Sequence, residues 1–342
     1  MKVLHGMSDV SGQGYNTVRG LRSNGIGAEL ALFSDTGNCC AADIALDRTD
    51  LPAMRAFAER KAEEIDIFHS HAGDTILMDQ TDLDIFRRNN VRIFAEFHGT
   101  EIRYVFNDIP LPFAPKEHIS SEERLQRQKK LLDLIDKSDA IILHSGGQYK
   151  YLPQPLSKPV YIVPLRVDIK RLVPHYESNH YEGGHERLRI VHAPTDRRFK
   201  GTDRILEALS HVKEDFELVL VEGKTAEEAL KIYRTADIII DQISGGSYGV
   251  FSIEAMALGK PVVAYISEQT RRRHPLLPVV SADFDCLGDI VSSLLSDRQR
   301  RIDLGKRGRE YAERYHDRVR VTALLAQLYA GELNHNNLFD LL

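Results

Sequence analysis

Residues 244–261, with the sequence SGGSYGVFSIEAMALGKP, have the composition of a turn that holds an anion. They follow an apolar run at 236–240, which predicts a buried strand, and they precede a second run at 262–266. The glycine-rich turn opens into a short predicted helix that Gly259 caps and Pro261 stops. Backbone N–H groups and the positive end of a helix dipole would face the sheet edge. The pattern predicts a nucleotide-diphosphate site in the C-terminal half of an enzyme.

A second charged group, Arg197, Arg198 and Lys200, comes directly after a strand predicted at 188–193. Because the carboxyl ends of parallel strands meet at one edge of a sheet, we expect this loop near the glycine-rich turn. Two positive side chains beside a helix N-terminus would bind a diphosphate. They would also stabilise the charge that grows on a leaving group. The competing interpretation is a solvated surface loop.

Glu254 and His98 are two further candidates. Glu254 is predicted in the first turn of its helix, where a carboxylate gains roughly 0.3–1 kcal/mol from the dipole. The dipole alone is enough to explain a glutamate at this position. The functional alternative is that its two oxygens accept hydrogen bonds from both hydroxyls of a ribose. His98 ends a strand predicted at 91–97 and precedes a glycine, which directs it into the crevice where open α/β sheets bind ligands.

Two weaker patterns lie in the N-terminal half. Gly12-Gln13-Gly14 follows a short strand and precedes a helix predicted at 17–24, as in a Rossmann-like unit. The third glycine of a dinucleotide fingerprint is missing, so a turn that merely needs positive φ is an equal alternative. His69 and His71 share a face of another strand and could bind a metal. No third ligand is nearby in sequence, and we predict instead that they line the sheet edge.

The candidate site residues all follow predicted strands, so the arrangement of those strands in sheets determines where they lie. Strands and helices alternate throughout the 342 residues, which predicts an α/β chain with two doubly wound parallel sheets facing one another. We expect one Rossmann-like domain over residues 1–170 and a second over 171–317. Residues 174–184, rich in His, Tyr, Asn and Gly, are expected to end the linker between them.

The bulk properties exclude several classes of protein. The net charge of −5 gives no general attraction to nucleic acid. Three cysteines, with Cys39 and Cys40 adjacent, form neither a disulfide framework nor a zinc site, which predicts a cytoplasmic location. No apolar run approaches the roughly 20 residues that cross a bilayer. A helix predicted from Ser120 to about Ser138 has a basic side, for which we prefer a solvated face over contact with an anionic membrane.

Residues 248–263 resemble the signature of the retaining GT-B glycosyltransferases of family four. Further segments that look like this family occur in the same order, and they are Gly12-Gln13-Gly14, 66–71, 97–103, 138–145, Val167-Asp168 and Lys200-Gly201. The resemblance therefore spans nearly the whole chain. It implies the GT-B fold, in which two Rossmann-like domains face a central cleft. The domain at 1–170 would be on the acceptor side and that at 171–317 would bind the nucleotide-sugar donor, and a final helix, here about 318–342, would pack back onto the first domain.

The resemblance also implies an activity, which is transfer of a hexose-type sugar from a nucleotide-diphosphate donor to a hydroxyl, with retention and without an obligatory metal. The expected donor is a UDP-sugar, and the expected acceptor is a glycan, a lipid-linked molecule or a small molecule, reached in the cytoplasm or at the inner membrane face. Lys200 would bind the diphosphate, Glu254 the ribose and His98 the donor sugar. The implied catalytic residues are His98, Lys200, Arg197 and Arg198. The implied donor-binding residues are Gly12, Gly14, Gly246, Tyr248, Gly249, Val250, Phe251 and Glu254. The oligomeric state is not predicted.

Two positions depart from the family pattern. Gly246 stands where the signature has a second glutamate, which normally contacts hydroxyls of the donor sugar. Thr195 stands where an arginine usually precedes the lysine, and either Arg197 or Arg198 would replace it.

Three alternatives remain. A metal-dependent single-domain glycosyltransferase would use an Asp-x-Asp pair, for which Asp82 and Asp84 or Asp283 and Asp285 have the spacing. A GT-B sugar-nucleotide epimerase would convert the donor without an acceptor. A degenerate, non-catalytic relative would bind nucleotide-sugar without turnover, which the loss of the glutamate at Gly246 invites.

Overall fold

The structure is a computed structural model that describes residues 1–34, 41–113, 119–176, 187–333 and 335–342. Cys39 and Cys40, and most of the linker expected at 174–184, lie outside these residues. The chain forms two compact units. The first consists of Met1–Ile109, Glu117–Arg166 and Asp317–Leu342, and the second of Pro110–Lys116 and Val167–His316.

The first unit contains a seven-stranded parallel sheet with strand order β3-β2-β1-β4-β5-β6-β7. Its strands are β1 (Lys2–Gly6), β2 (Gly27–Phe33), β3 (Ile44–Leu46), β4 (Ile67–His71), β5 (Arg92–Phe97), β6 (Ala140–Leu143) and β7 (Val160–Ile162). Its helices are α1 (Gln13–Ser23), α2 (Leu51–Glu64), α3 (Thr81–Arg88), α4 (Ser121–Lys137) and, near the C-terminus, α12 (Arg318–Ala330). Every residue of β4 and β6 is buried, as expected for central strands with helices on both faces.

The second unit contains a five-stranded parallel sheet with strand order β12-β11-β10-β8-β9. Its strands are β8 (Leu188–His192), β9 (Phe216–Leu220), β10 (Ile238–Ile240), β11 (Val262–Ala264) and β12 (Val280–Ser281). Its helices are α5 (Arg197–Lys200), α6 (Thr202–Ser210), α7 (Ala226–Arg234), α8 (Val250–Ala257), α9 (Glu268–Arg273), α10 (Leu287–Ser296) and α11 (Arg298–Tyr315). The predicted α/β fold with two parallel sheets is confirmed, and the single-domain Asp-x-Asp alternative is wrong.

Helix α12 belongs to the first unit although its sequence follows the second. It packs on α1, where the two backbones approach closely at Gly20. A Cβ at Gly20 would lie 2.6 Å from the Arg318 carbonyl oxygen and 2.5 Å from Thr322 Oγ1. Val321 and Leu325 of α12 are fully buried in the core cluster that also contains Val18 and Leu21 of α1. Of the described helices, none combines the length and apolar character needed to cross a membrane.

Helix α1 begins at Gln13, four residues earlier than predicted, so Gly14 lies inside the helix. Gly12 is the residue before the helix, and its φ of 71° is left-handed, a conformation that glycine adopts without strain. The Asp9 carboxylate accepts hydrogen bonds from the N–H groups of Gly14, at 2.8 Å, and Tyr15, at 3.4 Å. Asp9 therefore occupies the N–H group of Gly14, one of the residues expected to bind the donor.

Candidate functional site

Lys200 ends the single turn of α5, which follows β8, and its side chain is buried against the carboxylate of Asp241. Asp196 caps this turn by accepting from the N–H groups of Arg198, at 2.8 Å, and Phe199, at 3.1 Å. The cap fixes the direction in which Lys200 leaves the helix. Lys200 Nζ donates to Asp241 Oδ1 at 2.5 Å.

Asp241, directly after β10, connects Lys200 to the helix that carries the glycine-rich turn. Its second oxygen, Oδ2, accepts from Ser252 Oγ at 2.5 Å, and Ser252 lies in the first turn of α8. Burial by itself would raise the pKa of Asp241, but Lys200 and the Ser252 hydroxyl hold it below its usual value. The carboxylate is therefore ionised and pairs with the lysine. The sequence does not identify Asp241 as a site residue, because its position directly after the apolar run at 236–240 indicates only the end of a strand.

Arg197 and Arg198 are both exposed but have different partners. The guanidinium of Arg197 contacts Asp203 at 3.1 Å and Glu222 at 3.1 Å, so its charge is matched within the protein. The guanidinium of Arg198 has no hydrogen-bonding or ionic partner among the described residues. Of the two arginines, Arg198 has its donors available for a ligand.

The N-terminus of α8 is open in the way that an anion site requires. Gly249 precedes the helix, no side chain caps it, and no described atom lies within 4 Å of where a Cβ of Gly249 would stand. The first N–H groups of the helix, beginning with those of Val250 and Phe251, are the ones that a helix cannot pair internally. The turn therefore offers donors to an anion.

Glu254 lies beyond the first turn of α8, because the helix begins at Val250. The prediction that Glu254 lies in the first turn is therefore wrong. The helix dipole does not explain this glutamate, because the effect of the dipole fades within one turn. Glu254 is half-buried, and its carboxylate lies close enough to Tyr233 to raise the pKa of that phenol further, in addition to the larger effect of burial.

Gly246 has a left-handed backbone with φ of 76°. A Cβ at this position would lie 3.3 Å from Pro112 Cγ and 3.3 Å from Ser267 Cβ. Phe113, next in the chain to Pro112, donates its N–H to the carbonyl oxygen of Ser244 at 3.2 Å. The backbone conformation and the packing of residues 112 and 113 against this turn together explain why glycine stands where the family signature has glutamate.

The side chain of Tyr248 contacts residues at the end of α11. Its hydroxyl lies 3.1 Å from the Tyr311 hydroxyl and 3.3 Å from His316 Nε2, both in the second unit. These contacts attach the end of the glycine-rich turn to the end of α11, so the side chain of Tyr248 anchors the turn.

In the first unit, His98 lies within a cluster of buried polar residues at the carboxyl ends of four adjacent strands. The members of this histidine cluster are His5, His69, His71, Glu96, His98, His144 and Arg166. The strand register accounts for it, since His5 of β1 pairs with His69 of β4, and His71 pairs with Glu96 of β5. Side chains two residues apart share a face, so these groups line one side of the sheet.

A buried ion pair lies at the centre of the cluster. Glu96 Oε1 accepts from Arg166 Nη2 at 2.6 Å, and both side chains are fully buried. Burial alone would raise the pKa of Glu96, but Arg166 and the histidines hold it well below its usual value. Burial lowers the pKa of His71 to about 3 and that of His144 to about 4. The cluster therefore contains neutral imidazoles around one ionised pair.

The ring geometry of His5, His69 and His71 does not fit a metal, although one nitrogen of each lies within 4.8 Å of the others. The rings of His69 and His71 are stacked, with centroids 4.8 Å apart and an interplanar angle of 17°, and those of His5 and His69 are stacked at 4.5 Å. A ligand nitrogen directs its lone pair in the ring plane, so stacked rings do not aim at one point. The buried positive charge of Arg166 nearby also opposes a cation.

Neither a family sequence model nor a curated protein sequence matches the chain. Solved structures with the same two-sheet architecture do match it. Sucrose-phosphate synthase from Thermosynechococcus elongatus is 16% identical with a TM-score of 0.68, over 96% of this chain and 98% of that chain. HepE from Anabaena, in complex with UDP-glucose, is 15% identical with a TM-score of 0.66, over 97% of this chain and 100% of that chain.

An alpha-glucosyltransferase in complex with UDP-glucose and DNA containing an abasic site is 11% identical, with a TM-score of 0.67 over 96% of this chain and 99% of that chain. The fold of the chain is thus the GT-B fold of glycosyltransferases, as the resemblance implied. At these identities the likeness defines the fold alone.

Proposed function

We propose that the chain is a glycosyltransferase that takes its sugar from a nucleotide-diphosphate donor. The observation that carries the proposal is the buried Lys200–Asp241–Ser252 network beside the uncapped N-terminus of α8. It combines a positioned cation with free backbone donors, which is the chemistry that a diphosphate needs. The GT-B fold, shared with proteins solved with UDP-glucose, supports the choice of a nucleotide-sugar.

In this proposal the diphosphate binds Lys200, Arg198 and the N–H groups that follow Gly249. Glu254 accepts from the ribose hydroxyls, and His98 contacts a hydroxyl of the donor sugar. Asp241 keeps Lys200 oriented until the diphosphate arrives, because a buried lysine without a counter-ion is costly.

The reaction breaks the bond between the anomeric carbon and the diphosphate oxygen and forms a bond to an acceptor hydroxyl. Negative charge grows on the leaving diphosphate, and Lys200, Arg198 and the α8 dipole stabilise that charge. We propose that the acceptor attacks from the face that the leaving group occupies, so that configuration is retained, and that the acceptor proton passes to the diphosphate. This scheme uses no protein nucleophile and requires no metal. The transferred group is a hexose.

The first experiment is a thermal-shift screen with UDP, GDP, ADP and dTDP in the presence of EDTA. A ligand that binds only the native state raises the melting temperature, by an amount that grows with its concentration. We expect UDP to give the largest rise. A chain that responds to none of the four nucleotides is not a nucleotide-sugar enzyme.

The second experiment assigns the site. Lys200→Ala and Glu254→Ala should each weaken UDP binding tenfold or more, since each removes a charge-assisted contact worth roughly 1.5–3 kcal/mol. Arg271→Ala, at an exposed position of α9, is the matched control and should bind like the parent. Once an acceptor is found, NMR of the product reports the anomeric configuration. Conversion of the donor without any acceptor would instead indicate an epimerase.

A further inference from the structure

Four histidines of the cluster form one continuous hydrogen-bonded chain. His5 Nδ1 lies 3.0 Å from His71 Nε2, and His71 Nδ1 lies 3.3 Å from His98 Nε2. His98 Nδ1 lies 3.0 Å from His144 Nε2. His144 Nδ1 lies 3.2 Å from the carbonyl oxygen of Val163, which closes the chain at that end. At the other end, His5 Nε2 has no hydrogen-bond partner among the described residues.

The carbonyl of Val163 determines where the protons of this chain lie. A carbonyl oxygen only accepts, so His144 Nδ1 carries the hydrogen of that bond. A neutral imidazole has one donor and one acceptor, so His144 Nε2 accepts, and the hydrogen of the next bond belongs to His98 Nδ1. His98 Nε2 is then an acceptor in turn.

The same reasoning continues to the far end. His71 Nδ1 donates to His98, and His5 Nδ1 donates to His71. Burial lowers the pKa of all four imidazoles, so the rings are neutral and the assignment holds for each of them. The opposite direction would place the bare Nδ1 of His144 against the carbonyl oxygen of Val163, two acceptors 3.2 Å apart, with His144 Nε2–H directed to His98 or to Glu96 Oε1, 3.3 Å from it.

We infer that Val163 and His144 hold His98 in the tautomer with hydrogen on Nδ1, so that Nε2 is the nitrogen His98 offers a ligand, as an acceptor. The group that such a nitrogen recognises is a hydroxyl, which can donate, and not a carbonyl or phosphate oxygen. His144 is thus a positioning residue that determines which ligand groups His98 accepts. The identity of the ligand as a sugar rests on the proposed function.

A ligand hydroxyl can replace His71 as the donor to His98 Nε2, because His71 has a second acceptor nearby. In the free protein His98 Nε2 is occupied by His71 Nδ1, so an arriving hydroxyl displaces that donor. His71 Nδ1 is 3.7 Å from Glu96 Oε1. A small rotation of His71 would therefore give its N–H a new acceptor, and no buried donor would be left unpaired.

The test compares His144 and His5, the two ends of the hydrogen-bonded row of histidines, because only the His144 end sets the direction of the hydrogen bonds. Protein labelled with 15N-histidine gives separate NMR signals for protonated and bare ring nitrogens, and His98 is assigned with His98→Gln. We expect Nδ1 of His98 to be protonated and Nε2 to be bare. His144→Leu should abolish this preference, and His144→Gln, whose amide can donate to Val163 and accept from His98, should restore it. His5→Leu should leave the His98 tautomer unchanged, because the direction is set from the Val163 end.

Protonation of His98 at Nε2 in the parent, or loss of the preference in His5→Leu but not in His144→Leu, would overturn the inference. If UDP-glucose raises the melting temperature yet leaves the His98 Nε2 signal unmoved, the hydroxyl contact is refuted. If no nucleotide-sugar binds at all, the proposed function fails while the tautomer result still decides the inference.

His144→Leu should also reduce kcat/KM for transfer more than His5→Leu does, with His144→Gln in between.

Discussion

Arg197 and Arg198 are adjacent in sequence, and their surroundings give them different roles. Arg197 is committed to Asp203 and Glu222, while the Arg198 guanidinium has no partner among the residues that the structure describes. A guanidinium with free donors can bind phosphate bidentately without first breaking contacts within the protein.

Arg198→Ala should therefore weaken UDP binding about tenfold or more, by loss of a charge-assisted contact. Arg197→Ala is the matched control and should change the affinity less than about threefold, because exposed ion pairs are worth little. Isothermal titration calorimetry of both variants measures the difference. The reverse order of the two effects would assign the phosphate contact to Arg197.

At the residue scale, some residues of the candidate site can be predicted from the sequence and others cannot. Lys200 and the glycine-rich turn are found because their types and spacing are those of phosphate binders. Asp241 and Arg166 are missed, since their partners are 41 and 70 residues away in sequence, which only the tertiary structure brings together. His69 and His71 show the two-residue spacing of a shared face, and the same spacing in Glu96 and His98 was the available signal for the rest of the cluster.

At the scale of elements, long and strongly patterned segments agree with the sequence. The helix predicted from Ser120 to about Ser138 is α4, and the segment expected at about 318–342 begins with α12. Short elements such as β3 and α3 are missed, because three to eight residues carry too little periodicity to identify them. The start of α1 was misplaced because glycine suggests a loop, whereas Gly14 is a helical residue that packs against Leu30.

The contact between α1 and α12 depends on the absence of a side chain at Gly20. Gly20→Ala should lower the free energy of unfolding by about 1–3 kcal/mol, since the added methyl group would overlap the Arg318 carbonyl oxygen. Helix propensity alone predicts the opposite sign, a gain of about 0.5–1 kcal/mol. Urea denaturation distinguishes the two, with Ser23→Ala, exposed near the end of the same helix, as the control. A stabilised Gly20→Ala protein would mean that the helices are not held at this distance.

For the whole molecule, the histidine cluster links stability to pH. The folded pKa of each buried imidazole lies below the unfolded value of about 6.5, so the unfolded chain binds protons first as the pH falls. The stability contributed by neutral burial is complete above about pH 6.5 and is lost progressively below it. For His144 this loss continues to about pH 4.

Each such histidine should add a slope of about 1.4 kcal/mol per pH unit to the free energy of unfolding within that window. Urea denaturation between pH 7 and pH 5 measures the total slope. His144→Leu should reduce it by about one histidine's share, whereas His211→Leu, at an exposed position, should leave it unchanged. Equal slopes in His144→Leu and the parent would mean that His144 is already charged in the folded protein.

The return of the chain to its first unit affects the order in which the protein can be completed during synthesis. Tyr329 is translated after the second unit, yet its hydroxyl hydrogen-bonds His69 and its ring packs edge-on against Phe94, both in the first unit. Until α12 has emerged, Val18 and Leu21 of α1 lack the α12 side chains of their core cluster, and His69 lacks the hydroxyl that hydrogen-bonds its Nδ1. The core of the first unit is therefore completed only after the second unit has been translated. A nascent chain stalled before Asp317 would expose an apolar helix face that chaperones recognise.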